Sequence, residues 1–343
     1  MTLRQRLRDL DLRKGLYAAI AVLLFSTAMQ AVASGPASAS VGPLGSQPAV
    51  AIGPQSSGGE YYQYVFWQGL NGGLWETWWN GSWQPQQQLP EGTIGSAPTA
   101  VVGSNGVEYV FWKGTGAGNL WMGVYTPGSG WAAPFDLGGG TLGSAPSASI
   151  DGFGDIAVVW DGENNNLWEK VFYAGNGWSS TISLGFGPLG SPPTVGLITP
   201  SNAAGARNVF EDVVWQGTGP AYDLWQANGE LGDQLTLNNE GLGPLNSQPG
   251  FSTSSNDTIA GFGSGVYWMG TGPQYDLWEF GNTCTSISSP CNLGDGPLGS
   301  APAVGIDPNL NVYIFWWGEN GGLWETFFDR NGSGSWSKAQ QIY

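Results

Sequence analysis

The chain has 343 residues, with 57 glycines, 19 tryptophans and no histidine. Without imidazole there is no Ser-His-Asp or Cys-His nucleophile, no His-ligated zinc and no His-held haem. Ten basic residues against 26 acidic ones leave a net charge of −16, which argues against a nucleic-acid partner, since that needs a basic face. Charged residues are only 10% of the chain, so its surface is built from Gly, Ser, Thr, Asn, Gln and aromatic groups and suits neutral polar ligands.

Arg4, Arg6, Arg8, Arg13 and Lys14 precede a mostly apolar stretch, Leu16 to Val32, and Ala31-Val32-Ala33 fits the small-x-small rule for cleavage before Ser34. This pattern predicts a secretory signal peptide over 1–33, a short linker over 34–41 and a secreted protein. The alternative is a retained anchor helix, but the run is short for a span and holds Ser26, Thr27 and Gln30. Removing the segment leaves five basic residues against 24 acids, a net charge of −19. Cys284 and Cys291 are the only cysteines, and outside the cell they predict a local disulfide. Two cysteines without histidine offer too few ligands for a zinc site, and no metal or cofactor is expected.

The rest of the chain is one unit repeated. Gly-Pro-Leu-Gly-Ser-Gln-Pro at Gly42–Pro48 recurs in related form at Gly92–Pro98, Gly140–Pro146, Gly187–Pro193, Gly243–Pro249 and Gly296–Pro302. A second phrase, Trp-x-Gly, follows each time, from Trp67/Gly69 to Trp316/Gly318. A third, Leu-Trp, comes next at Trp75, Trp121, Trp168, Trp225, Trp278 and Trp324.

Each unit reads as four short strands. In the sixth, Ala301–Ile306, Asn311–Trp317, Leu323–Asp329 and Trp336–Ile342 are separated by Asp-Pro-Asn, Asn-Gly-Gly and Gly-Ser turns. Val312–Trp316 is apolar on both faces, as in a strand covered on two sides. Repeats of about 50 residues with four antiparallel strands each predict an all-β fold, a β-propeller. It has six blades over 42–343, beginning near 42, 92, 140, 187, 243 and 296. One blade cannot bury its own faces, so the ring is one domain.

Gly-x-Leu-Gly-Ser-x-Pro, then Phe-Trp-x-Gly, Leu-Trp-Glu and a Gly-x-Trp strand resemble bacterial propeller lectins of the Photorhabdus luminescens lectin type. More distantly the pattern is similar to tectonins and to the Aleuria fucose lectin. The resemblance covers 42–343 and implies a non-catalytic carbohydrate-binding protein. The Photorhabdus type has seven blades, against six repeats here. Aleuria-type sites take an Arg and a Glu from one blade and an aromatic from the next. The resemblance places that glutamate at Glu76, Glu169, Glu279 and Glu325, with Met122 and Gln226 in the second and fourth repeats. No arginine recurs once per repeat.

Sugars present C–H faces to aromatic rings and hydroxyls to polar groups. The twelve tryptophans of the second and third phrases read first as packing between blades. Trp83, Trp131, Trp178 and Trp336 open the fourth strand of repeats one, two, three and six, and are candidate ring contacts. Repeats four and five lack this tryptophan, but share longer loops ending in Tyr222-Asp223 and Tyr275-Asp276. Each such pair offers one ring and one acceptor, or a plain turn. Asp151–Asp155 and Asp307–Asn311 look somewhat like calcium loops, but lack further oxygens and fall where hairpin turns are expected.

Near-equal repeats suit several similar weak sites for glycans or glycoconjugates. A protein-binding propeller without a sugar ligand is the alternative reading. A glycosidase needs one carboxylate pair, which enzymes usually build by breaking repeat symmetry. The extra lengths, around Thr199–Arg207 and Asn282–Cys291, are modest.

Overall fold

The computed structural model describes residues 45–54, 61–199, 208–253, 265–281, 283–284, 289–330 and 332–343. The expected signal peptide and linker, most of Thr199–Arg207, and Asn282 lie outside the described residues. Six antiparallel sheets follow one another along the chain, and among the described residues there is no helix. Blade 1 consists of Ala49–Pro54, Tyr61–Gln68, Gly73–Trp79 and Gln87–Thr93, paired in that order. The inner strands of blades 2 to 6 are Thr99–Val102, Ser147–Ile150, Thr194–Ile198, Gly250–Ser252 and Ala303–Ile306. Each abuts the next, and the last abuts Ala49–Pro54. The fold is a six-bladed β-propeller around a central cavity of about 440 Å³.

Among the described residues every strand pairs within its own blade, so the ring closes by packing rather than by an exchanged strand. At the closing seam the Trp317 indole N–H donates to the carbonyl of Ser46. Tyr343 reaches blade 1, its hydroxyl donating to Gln84 O at 2.6 Å. Trp67 meets Trp317 edge to face, with centroids 6.1 Å apart.

The recurring phrases are explained by one latch. The serine of each Gly-Ser-x-Pro phrase (Asn-Ser in repeat five) accepts a backbone N–H from the end of its blade's second strand. Ser46 takes Gln68, Ser96 takes Lys113, Ser144 takes Asp161, Ser191 takes Gln216, Ser247 takes Met269 and Ser300 takes Trp317, at 3.0–3.2 Å. The glycine of Trp-x-Gly must be glycine because the third-phrase indole lies against it. A Cβ on Gly69 would fall 2.5 Å from Trp75 Nε1.

The second strands carry the core. Trp67, Trp112, Trp160, Trp215, Trp268 and Trp316 are all buried, as are Phe66, Phe111 and Phe315. Burying each such side chain contributes roughly 2–3 kcal/mol. The outer strands are less regular. In blades 2, 3 and 6 they break into two segments, such as Ser335–Trp336 and Gln340–Gln341. The break is a one-residue bulge: Phe328 pairs with Trp336, but Glu325 pairs with Gln340. Blade 1 shows the same step between Trp79–Trp83 and Glu76–Gln87. A bulge re-aims side chains, and here it follows the fourth-strand tryptophan in all four blades that have one.

Candidate functional site in the grooves between blades

Each blade turns one face to its predecessor and the other to its successor. The third-strand glutamates face the successor. Glu76, Glu169, Glu279 and Glu325 are all buried. Glu169 meets Glu211 of blade 4, each only 1% exposed, and neither carboxyl has another hydrogen-bond partner. Glu76 meets Glu108 of blade 2 in the same way, with Gln87 donating to it at 3.2 Å. Two facing carboxyls satisfy each other only when they share a proton. Burial, then the neighbouring carboxylate, pushes Glu108 and Glu211 well above the ordinary carboxylate range.

Glu279 and Glu325 have other company. Thr283 donates its N–H to Glu279 at 2.8 Å and its hydroxyl to the other carboxyl oxygen. Trp336 of blade 6 donates its indole N–H to that Thr283 hydroxyl at 2.8 Å. The Cys284–Cys291 disulfide closes the loop behind it. Glu279 and both sulfurs lie within 4.8 Å of one another, but bonded sulfurs carry no thiolate for a metal. Glu325 accepts from Gln340 at 3.2 Å, and burial raises its pKa to about 7.

The fourth-strand tryptophans also lie between blades. Trp131 packs on Phe66, Trp178 on Phe111, Trp336 on Tyr267 and Trp83 on Phe315, each edge to face across a blade boundary. They are half-buried. The structure therefore brings Glu279 and Trp336 together, and sets these tryptophans on second-strand rings.

The third-phrase tryptophans are different. Trp75, Trp121, Trp168, Trp225, Trp278 and Trp324 are half-buried too. Each faces an exposed polar residue across the sheet: Gln88, Asp136, Ser183, Asn239, Asn292 and Gln341 respectively. A hydrogen bond donated by an asparagine side-chain amide ties this residue to the loop before the tryptophan in five blades. Examples are Asn119 to Asp136 at 3.0 Å and Asn292 to Asp276 at 2.8 Å.

Two of these indoles line open grooves. Groove 1/2, about 320 Å³, has Glu91 and Thr93 on one wall and Trp112, Gly114, Thr115, Trp121 and Pro134 on the other. Groove 4/5, about 130 Å³, has Leu242 and Pro244 facing Trp268, Gly270, Thr271, Trp278 and Pro290. The two walls correspond position by position. Glu91 is 6% exposed and both of its carboxyl oxygens lack a partner. Burial raises its pKa to about 7.

The calcium-like loops are turns. Asp151 accepts the N–H groups of Phe153 and Asp155 at 2.8 Å, and Asp307 accepts that of Asn311 at 2.9 Å. One Asp151 oxygen and both Asp307 oxygens serve the hairpins.

No protein-family model matches the chain, and no curated protein matches it in sequence. Solved structures do. AofleA from Arthrobotrys oligospora is 16% identical with a TM-score of 0.62, covering 86% of each chain. The fucose-specific lectin from Aleuria aurantia, described as a six-bladed β-propeller, is 18% identical with a TM-score of 0.58, over 85% of this chain and 94% of its own. SapL1 lectin, solved with α-methyl fucoside, is 16% identical with a TM-score of 0.60, over 88% and 96%. The chain shares the fold of propeller lectins. At these identities the likeness concerns architecture, and the chemistry rests on this chain's own grooves.

Proposed function

We propose that the protein is an exported, multivalent lectin that holds neutral sugars in its inter-blade grooves without altering them. Groove 1/2 is the observation that carries this reading. Trp121 offers an indole face for the C–H side of a pyranose, and Glu91 backs the facing wall with a buried carboxyl that has no hydrogen-bond partner in the chain. Asn119 and Asp136 add polar groups at the rim. The same indole and cross-strand polar residue recur around the ring, so weak sites gain strength together.

The six-blade count and the likeness to Aleuria aurantia lectin support that branch over the seven-bladed Photorhabdus type. The glutamates at 76, 169, 279 and 325 and the tryptophans at 83, 131, 178 and 336 act here by joining blades and so shaping the grooves. Export is supported by the basic and apolar opening of the chain and by the Cys284–Cys291 disulfide.

A glycan array probed with labelled protein tests the reading. The expected result is binding to a related set of neutral glycans, competed by free monosaccharide. A blank array with folded protein refutes it, and leaves a ring whose partner is another protein.

A further inference from the structure

Blades 4 and 5 depart from the others at one backbone position. The loop into each Leu-Trp phrase contains a left-handed residue just before the strand. In blades 1 to 5 its carbonyl accepts the N–H that opens the next repeat. Gly72 takes Ile94 at 2.8 Å, Gly118 takes Leu142 at 2.9 Å and Asn165 takes Leu189 at 3.3 Å. Tyr222 takes Leu245 and Tyr275 takes Leu298, both at 3.1 Å. Glycine or asparagine holds the position in blades 1, 2, 3 and 6, with φ between 55° and 76° at Gly72, Gly118, Asn165 and Gly321. Tyrosine holds it in blades 4 and 5, with φ of 46° and 44°.

A bulky side chain is sterically disfavoured there, and glycine makes the same hydrogen bond without the clash. Burial does not compensate, since Tyr222 is 48% exposed and Tyr275 is 37% exposed. Strained residues that fold stability does not require are characteristic of ligand clamps. The same choice appears in two blades.

The direction of the side chain is set by the loop. A Cβ on Gly72 would meet Thr93 at 2.7 Å, and one on Gly118 would meet Thr141 at 2.9 Å. Thr93 is in the wall of groove 1/2. The corresponding residues after Tyr222 and Tyr275 are Pro244 and Pro297, and Pro244 is in the wall of groove 4/5, which Trp278 faces.

We infer that groove 4/5 and the corresponding boundary between blades 5 and 6 hold two-ring sites for neutral oligosaccharides, with one sugar on Trp278 and the next on Tyr222, and with Trp324 and Tyr275 in the same roles. This inference rests on the carbohydrate reading of the grooves. The class follows from the chemistry: two aromatic faces, a phenol hydroxyl that both donates and accepts, and no lysine or arginine in either loop, 217–223 or 270–276. The single-tryptophan grooves take one ring.

The test is the double variant Tyr222→Gly/Tyr275→Gly, with Tyr222→Phe/Tyr275→Phe beside it. Probes are methyl α-fucoside, galactose and N-acetylglucosamine against Fucα1-6GlcNAc, lactose and chitobiose, titrated by calorimetry. The glycine variant is expected to melt at or above the wild-type temperature. Its affinity for the best disaccharide should fall about tenfold, while monosaccharide affinity stays unchanged and the phenylalanine variant keeps most of its binding. Unchanged disaccharide affinity overturns the inference, as does a glycine variant that loses stability, because the tyrosines then serve the fold. Wild-type protein that binds none of the six probes overturns the carbohydrate reading itself.

Discussion

Trp131 of blade 2 sets its indole edge-on against Phe66 of blade 1, with ring centroids 6.2 Å apart and planes at 86°. The partner position explains which blades carry this tryptophan. Phe66, Phe111, Tyr267 and Phe315 precede the second-phrase tryptophan in blades 1, 2, 5 and 6, and each receives a tryptophan from the following blade. Blades 3 and 4 have Val159 and Val214 there, and blades 4 and 5, which follow them, lack the tryptophan. Blade 4 supplies Leu235, which shares a core cluster with Val159.

A double-mutant cycle on Phe66→Leu and Trp131→Leu should therefore show coupling of about 1 kcal/mol, the usual worth of an edge-to-face pair. Urea unfolding of the wild type, both single variants and the double variant measures it. A coupling indistinguishable from zero would mean that the rings meet without holding the blades together.

The disulfide supports another boundary. Cys284 and Cys291 are separated by 7 residues and frame the loop that brings Thr283 to Glu279 and Trp336. Closing so short a loop is worth about 2–3 kcal/mol in the chain-entropy account. The Cys284→Ser/Cys291→Ser variant should lose that much in chemical unfolding, and reductant should lower the melting temperature of the wild type but not of the variant. Equal stability of the two proteins would show that the Glu279–Thr283–Trp336 chain needs no covalent support.

In groove 1/2, Trp121→Ala removes the indole face and Glu91→Gln replaces the buried carboxyl of the facing wall. Either change should remove about one site from the calorimetric stoichiometry for a bound monosaccharide, leaving the affinity of the remaining sites intact. Glu91 is buried without a hydrogen-bond partner, and glutamine keeps its shape without a charge, so the melting temperature should move little for Glu91→Gln near neutral pH. Full stoichiometry in both variants would place the sugar elsewhere on the ring.

The blades were readable from sequence because their latches demand the same residue each time. A serine hydroxyl must reach a second-strand N–H, and a glycine must admit an indole edge, so Ser96 and Gly114 recur as Ser144 and Gly162. The groove was only half readable. Trp121 belongs to a repeated phrase, but the counterparts of Glu91 are Gly139, Phe186, Leu242 and Asp295. Nothing local distinguishes Glu91 from any loop acid until the blade is folded. The partners of the third-strand glutamates were hidden for the same reason. Glu108 and Glu211 stand where other blades have Gln63, Ile156 and Val312, and each meets its glutamate only across a boundary between sheets. The break in the outer strands was missed because a bulge leaves the alternation of side chains intact on either side of it.

The carboxyl pairs give the ring a definite pH dependence. Glu76, Glu108, Glu169, Glu211 and Glu325 are all raised above the ordinary carboxylate range, chiefly by burial. A raised carboxyl pKa means that the folded state binds the proton more tightly than the unfolded chain does. The associated stability is complete below the unfolded pKa, near 4.5, and is lost as pH rises through the folded value. For Glu325, with a folded pKa of about 7, the loss between these limits is about 3 kcal/mol. The melting temperature should therefore fall steadily from about pH 5 to pH 9. In Glu108→Gln/Glu211→Gln each remaining glutamate gains an amide donor and no longer shares a proton, so the decline should flatten and the variant should exceed the wild type at pH 8. Thermal melts across that range measure both slopes, and parallel slopes would show that the facing carboxyls do not share protons in the folded ring.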